Sequence, residues 1–174
     1  MAEKQFKGLV QIYTGDGKGK TTASLGQALR AAGQGLRVIV IQFLKGEEGG
    51  EHFFAAKTGA FEIKQFSRGN IFVRKDEELR EESLAAFKFA EETVKGGKYD
   101  MVVLDEIFIA HWRGFISLRQ ILDLIRDKPA RVELVLTGRK APQEVVKAAD
   151  LVSEVLMIKH PFNTGIKQRK GIEY

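Results

Sequence analysis

The sequence predicts an α/β fold, doubly wound around a mainly parallel sheet, and three observations carry that expectation. Apolar runs alternate with helical patterns in a βα rhythm along the chain. The runs are continuously apolar, as strands covered by helices on both faces are. The first run leads through a glycine-rich turn straight into a helical pattern, the kind of junction at which such sheets bind ligands.

Residues 8–13 are the first expected strand, followed by a helix over 21–32 that stops at Gly33. Further strands are expected at 37–43, 61–66, 100–105, 132–137 and 151–158, each a short apolar run bounded by turn residues. A long helix spans 76–95 and stops at Gly96 and Gly97. Ser117 suits the N-cap of a helix over 118–126, and Pro142 the first turn of one reaching about Ala149. Stretches 46–50 and 66–75 are irregular and follow strands, which puts them at the carboxyl edge of the sheet. Residues 159–174 continue past the last strand as a C-terminal tail. With no repeats or low-complexity segments, residues 1–174 are expected to form a single domain, long enough for a sizeable core.

The turn between the first strand and helix reads Thr14-Gly15-Asp16-Gly17-Lys18-Gly19-Lys20-Thr21-Thr22. Glycines let successive N–H groups curl around phosphate oxygens, and the following helix offers its positive end. A lysine then adds a point charge and a hydroxyl completes a magnesium shell, roles that fall to Lys20 and Thr21. Gly15, Asp16, Gly17, Lys18, Gly19, Lys20, Thr21 and Thr22 are therefore candidate ATP-binding residues. The pattern G-x-x-x-x-G-K-[ST] puts Thr14 where its first glycine belongs, and counting from Gly15 leaves the loop one residue short. A P-loop NTPase (RecA-like) architecture follows, with the P-loop strand central in the sheet.

A second signal is Met101-Val102-Val103-Leu104-Asp105-Glu106, an apolar strand ending in two carboxylates. This is a Walker B-like element, whose acid binds Mg2+ directly or through water. One acid can hold metal while the other activates water, and the sequence does not divide those roles. Thr137-Gly138-Arg139 ends the fifth strand on the same edge, where Arg139 meets phosphates or the adenine face or is an exposed loop arginine.

Composition narrows the rest. The chain has no cysteine, which excludes disulfides, thiolate metal sites and a cysteine nucleophile. No apolar stretch approaches the roughly 20 residues of a membrane span, and no signal peptide is seen, so a cytoplasmic protein is expected. The net charge of +5 is scattered except for Lys159, His160, Lys167, Arg169 and Lys170 in the tail. Without an RNA- or DNA-binding motif, that patch reads as a solvated tail or a surface for an anionic ligand rather than for nucleic acid. His52, His111 and His160 lack metal-ligand spacing and are expected to be surface or packing residues; Trp112 and Phe115 are expected in the core.

Taken together, the chain resembles the P-loop ATP:cob(I)alamin (corrinoid) adenosyltransferases. The resemblance rests on the loop from Tyr13 to Thr22, on Gln42-Phe43-Leu44-Lys45-Gly46, on Val102-Val103-Leu104-Asp105-Glu106 and on Leu136-Thr137-Gly138-Arg139. It extends to Lys159-His160-Pro161-Phe162-Asn163-Thr164-Gly165-Ile166-Lys167 and the closing Lys170-Gly171-Ile172-Glu173-Tyr174. It implies that the cobalt(I) of a reduced corrinoid attacks the 5′ carbon of ATP and expels the whole triphosphate. It also implies that Lys20, Thr21 and Glu106 are catalytic, and that Thr21 and Glu106 bind Mg2+ with Asp105 in support. A reduced flavoprotein donor and a homodimer are further implications. The family commonly carries G-F-T-W after its third strand, aromatics that keep the lower ligand off cobalt; here Gly69-Asn70-Ile71-Phe72 stands there, leaving Asn70 and Phe72 as the candidate corrinoid residues. The acidic strand end also departs, with Ile107 and Phe108 after Glu106, and only seven residues precede the first strand, so the family's N-terminal helix is expected to be missing.

Two other readings fit the same residues. One is a P-loop ATPase or phosphotransferase acting at the γ-phosphate, with Glu106 activating water. The other is a non-catalytic binder of corrinoid or nucleotide, motivated by Asn70.

Overall fold

The structure, a computed structural model, describes residues 7–174. Within them β1 (Val10–Thr14), β2 (Val38–Gln42), β3 (Glu62–Gln65), β4 (Met101–Asp105), β5 (Glu133–Thr137) and β6 (Leu151–Glu154) pair all-parallel, in the order β3-β2-β4-β5-β1-β6. The helices are α1 (Lys20–Gly33), α2 (Gly50–Thr58), α3 (Asp76–Gly96), α4 (Ile107–Trp112), α5 (Leu118–Asp127) and α6 (Gln143–Ala148). The expectation about the segment ahead of the first strand falls mainly on residues 1–6, outside the described residues.

Three strands, β2, β4 and β5, are buried along their whole length, because helices cover both faces. Ile12, Ile39, Ile41, Val102, Leu104, Leu134 and Leu136 face α3, α5 and α6 through Leu79, Phe87, Ile121, Leu124 and Val145. Val38, Val40, Met101, Val103 and Val135 face the other way, onto Ala28 of α1, Ala55 of α2 and Phe61. The alternation of side chains along each strand sorts one apolar run into two cores. Ser117 caps α5 as expected, accepting from the Gln120 N–H at 3.2 Å while Gln120 Oε1 accepts from the Ser117 N–H.

The differences lie at the edges. The P-loop strand β1 is interior but not central: it sits between β5 and the edge strand β6, and β5 separates it from the acidic strand β4. Edge strand β3 alternates in exposure, and β6 is largely exposed. The sixth strand also stops at Glu154 rather than 158. Beyond it the Val155 N–H bonds to the Thr14 carbonyl, and the Val155 carbonyl accepts from the Gly17 N–H, so the chain leaves the sheet to cross the P-loop. Residue 50 begins α2 instead of ending an irregular stretch; its N-terminus is capped by His52, whose Nδ1 accepts from the Gly49 N–H at 2.9 Å. Phe115 is buried, but Trp112 is 60% exposed and carries the Lys140 ammonium 3.9 Å above its ring.

Leu104 and Leu151 test this division between centre and edge. Leu104→Ala is expected to lower the unfolding free energy by about 2–5 kcal/mol in urea denaturation. Leu151→Ala is expected to change it by less than about 0.5 kcal/mol. Equal losses would contradict the burial pattern.

Candidate active site

The carboxyl ends of β1, β2, β4 and β5 meet at the N-terminus of α1, where all the loop residues from Asp16 to Thr22 line a cleft of about 750 Å³. Gly19 adopts φ +124°, a conformation closed to other residues without strain, and so turns the chain into α1. Gly17 is needed for a different reason. A Cβ there would stand 2.6 Å from the Leu156 carbonyl oxygen, under the strand extension that crosses the loop. The Gly17 N–H is bonded to Val155, so it is not among the amides left for phosphate. Lys20 is buried and folds back, its Nζ donating to the Gly17 carbonyl at 2.7 Å. Burial lowers its pKa below the ordinary lysine value, with Glu106 chief among the opposing influences.

Asp105 ends β4 with its side chain fully buried, and its two oxygens are met by four donors. Oδ1 accepts from Thr21 Oγ1 at 2.9 Å and from Thr137 Oγ1 at 2.7 Å. Oδ2 accepts from Lys45 Nζ at 2.6 Å and from Gln42 Nε2 at 3.3 Å. The chain of bonds continues outward. Gln42 Oε1 pairs with His52 Nε2 and with Gln65 Nε2, both at 2.9 Å. Because His52 Nδ1 accepts from a backbone N–H, the ring proton sits on Nε2 and is donated to Gln42. His52 thus links the start of α2 to the acid of β4. His111 Nδ1 contacts the Ile116 carbonyl oxygen at 2.8 Å, and His160 Nδ1 accepts from the Phe162 N–H.

Glu106 is built differently from its neighbour. Its backbone is left-handed at φ +63°, held by its N–H donating to Thr137 Oγ1 at 3.0 Å. Strain of this kind persists where surrounding structure over-determines it. Its Oε2 is buried without a hydrogen-bond partner among the described residues, and the side chain lines the cleft. Burial raises its pKa above the ordinary carboxylate value and Asp105 adds to the rise, against Lys45, Lys20 and Arg139.

Among the described residues no three histidine, aspartate or glutamate side chains stand close enough to cage a metal. Magnesium takes one or two carboxylates together with substrate phosphates. The hydroxyl of Thr21, the unpartnered oxygen of Glu106 and the nearby Asp105 form such a hard-oxygen set, so these residues fit Mg2+.

The walls of the cleft differ in character. Leu25 and Leu29 of α1, with Phe54 and Phe61, make one side apolar. The tail forms another side through His160, Gln168, Ile172, Glu173 and Tyr174, so it is a wall of the cleft rather than a free basic tail. Arg169 donates to Glu173 and draws its carboxyl down to about 2, while Lys18 stands 3.9 Å from the same group. Arg139 also lines the cleft, 3.9 Å from Asp16. Asn70 and Phe72 do not line it. They occupy a short 3-10 turn beyond β3, where Asn70 Oδ1 accepts from the Phe72 N–H and Phe72 is 91% exposed.

A family model described as "ATP:corrinoid adenosyltransferase BtuR/CobO/CobP" matches residues 6–174. The chain belongs to the ATP:corrinoid adenosyltransferase family. A corrinoid adenosyltransferase of Pseudomonas aeruginosa is 35% identical over 173 residues, covering 97% of this chain and 84% of the relative. One of Escherichia coli K12 is 33% identical, covering 97% and 86%, and one of Salmonella typhimurium is 32% identical, covering 98% and 88%.

In this adenosyltransferase the structure brings together Lys20, Thr21, Asp105, Glu106 and Arg139 and leaves Gly15, which packs under Val155, and Asn70 and Phe72 outside the cleft. In the sequence Gln42, Lys45 and Thr137 stand only within matching stretches, with no role, and His52 reads as a surface or packing residue. A glutamine ending an apolar strand and a lysine three residues later are the available signal for the first two.

The raised Glu106 pKa has a consequence for stability. The folded chain binds this proton more tightly than the unfolded one, so the stabilisation is complete below the ordinary value of 4.5 and is lost as pH rises through the raised one. The nucleotide-free Glu106→Gln protein should therefore melt near the wild-type temperature at acid pH and increasingly above it as pH rises. A difference in Tm that does not vary with pH would contradict this account of Glu106.

Proposed function

We infer that this protein transfers the 5′-deoxyadenosyl group of ATP to the cobalt(I) of a corrinoid and releases triphosphate. The observation that carries the reaction class is the family match over residues 6–174, phosphate loop and closing Gly171-Ile172-Glu173-Tyr174 included. The residue roles are proposals supported by the geometry.

Cobalt(I) supplies an electron pair to the 5′ carbon of the ribose. As the cobalt–carbon bond forms, the bond from that carbon to the α-phosphate oxygen breaks, and the electron pair leaves with the triphosphate. The protein's task is to hold the triphosphate and stabilise the charge that grows on it. Lys20 would leave the Gly17 carbonyl for a phosphate oxygen, and the loop amides of Lys18 to Thr22 would surround the chain of phosphates. Thr21 and Glu106 would hold Mg2+ with Asp105 in support; when bound, the ion neutralises triphosphate charge as a Lewis acid. Arg139, which lines the same cleft, would pair with the same anion. On the corrinoid side, Asn70 and Phe72 are the proposed contacts, on a loop tied to the segment after β2 by the Gly69 N–H to Gly46 carbonyl bond of 2.9 Å.

The cobalt must arrive reduced, and a reduced flavoprotein is the proposed donor. A homodimer working in the cytoplasm completes the proposal; no helix among the described residues is long and apolar enough to cross a membrane. One observation favours hydrolysis at the γ-phosphate instead: Glu106 is a buried carboxylate of raised pKa, suited to taking a proton from water.

A product assay separates the two. Chemically reduced cobalamin, ATP and magnesium should give adenosylcobalamin and intact triphosphate in equal amounts. ADP and phosphate without a cobalt–carbon product would overturn the transferase reading. Lys20→Ala should lower turnover about 10²–10³-fold with its circular dichroism unchanged, and full turnover in that variant would remove the loop from the mechanism.

A further inference from the structure

Lys45 has no assigned role, yet its ammonium lies on the atoms proposed for metal support. Its Nζ is 2.6 Å from Asp105 Oδ2 and 3.1 Å from Thr21 Oγ1. The Thr21 hydroxyl donates its proton to Asp105, so Lys45 occupies the hydroxyl's lone-pair side, the side a metal ion would use. Each Asp105 oxygen has a donor besides Lys45, Thr21 and Thr137 on Oδ1 and Gln42 on Oδ2. What Lys45 adds is positive charge beside a fully buried carboxylate.

The backbone is shaped to deliver it there. Leu44 is buried and adopts φ +50°, an uncommon conformation for leucine. The next residue but one, Gly46, is fixed through its carbonyl to the Gly69 N–H. With the base of the arm anchored, exchange requires only motion of a flexible four-carbon stem. The Lys45 side chain is 27% exposed and faces the cleft, so its ammonium has an open path to the phosphate position.

We propose that Lys45 is a tethered cation that holds the metal position in the nucleotide-free protein and yields it when triphosphate draws the ammonium away. The proposal rests on the reading of Thr21 and Glu106 as metal ligands. Before nucleotide arrives, the ammonium neutralises Asp105 and repels a free divalent ion. Triphosphate offers the ammonium several anionic oxygens, and its departure uncovers the Thr21 oxygen and the negative field of Asp105. Metal and nucleotide then bind as a coupled pair, each raising the affinity for the other by the same factor. A lysine serving only to brace the fold would give no such coupling.

The test is Mn2+ binding, followed by electron paramagnetic resonance, to wild type and Lys45→Met. Each is titrated to about 10 mM, where weak hard-cation sites fill, with and without a non-hydrolysable ATP analogue. Without nucleotide, Lys45→Met should bind Mn2+ about tenfold or more tightly than wild type. The analogue should raise Mn2+ affinity by a larger factor in wild type than in the variant. Lys45→Arg, which keeps the charge, should stay near wild type, and Lys45→Gln serves if the methionine protein does not fold. Equal Mn2+ affinity in wild type and the uncharged variant without nucleotide, including no binding by either, overturns the proposal. If neither binds Mn2+ even with the analogue, the metal-ligand reading itself fails and the proposal falls with it.

Discussion

A single buried carboxylate, Asp105, joins the separate parts of this site. It receives a hydroxyl from α1, a hydroxyl from the end of β5, an amide from the end of β2 and an ammonium from the arm after β2. An anion without solvent is costly unless each lone pair is met, so the arrangement constrains four chain segments at once. Its position explains why a sheet that separates the P-loop strand from the acidic strand still makes one site: β5 fills the gap and supplies Thr137. The same Thr137 hydroxyl accepts from the Glu106 N–H and holds that residue in its left-handed turn. Asp105 is thus fully partnered, while the buried Oε2 of Glu106 has no hydrogen-bond partner among the described residues.

A second constraint acts on the phosphate loop from outside. The Val155–Leu156 segment crosses it so closely that Gly17 has no room for a side chain and gives its N–H to Val155. The following tail then returns to the cleft, with Glu173 between Arg169 and Lys18. The C-terminal tail and the phosphate loop therefore meet around the cleft. The short loop and the closing residues belong to one construction.

Much of this was legible in the residues. The strands at the centre of the sheet were found because continuous apolar runs survive both faces being covered. The loop, Asp105 and Glu106 stand out in the sequence because their chemistry is contiguous, and the structure sets them around one cleft. Helix α2 was missed because its nine residues carry no clear apolar stripe; its N-terminus depends on a histidine cap visible only in three dimensions. The sixth strand was drawn too long because Leu156, Met157 and Ile158 continue its apolar run, although they are exposed where the chain crosses the loop. Lys45, Gln42 and Thr137 reach Asp105 across 60, 63 and 32 residues of chain, distances at which spacing carries no signal. Trp112 looked like core by its size, but its ring is a platform for Lys140.

The central claim is that the network around Asp105, and not the loop alone, prepares the site for magnesium and ATP. Calorimetric titration of Mg·ATP into Thr137→Val tests it most directly, since Thr137 does not line the cleft and valine keeps its shape. Loss of that hydroxyl deprives Asp105 of one donor and leaves the Glu106 N–H without an acceptor. The account predicts a folded protein whose affinity for Mg·ATP falls about tenfold, the effect of roughly 1–2 kcal/mol from one buried network bond. Unchanged affinity in a folded variant would contradict it and reduce Asp105 to a structural residue.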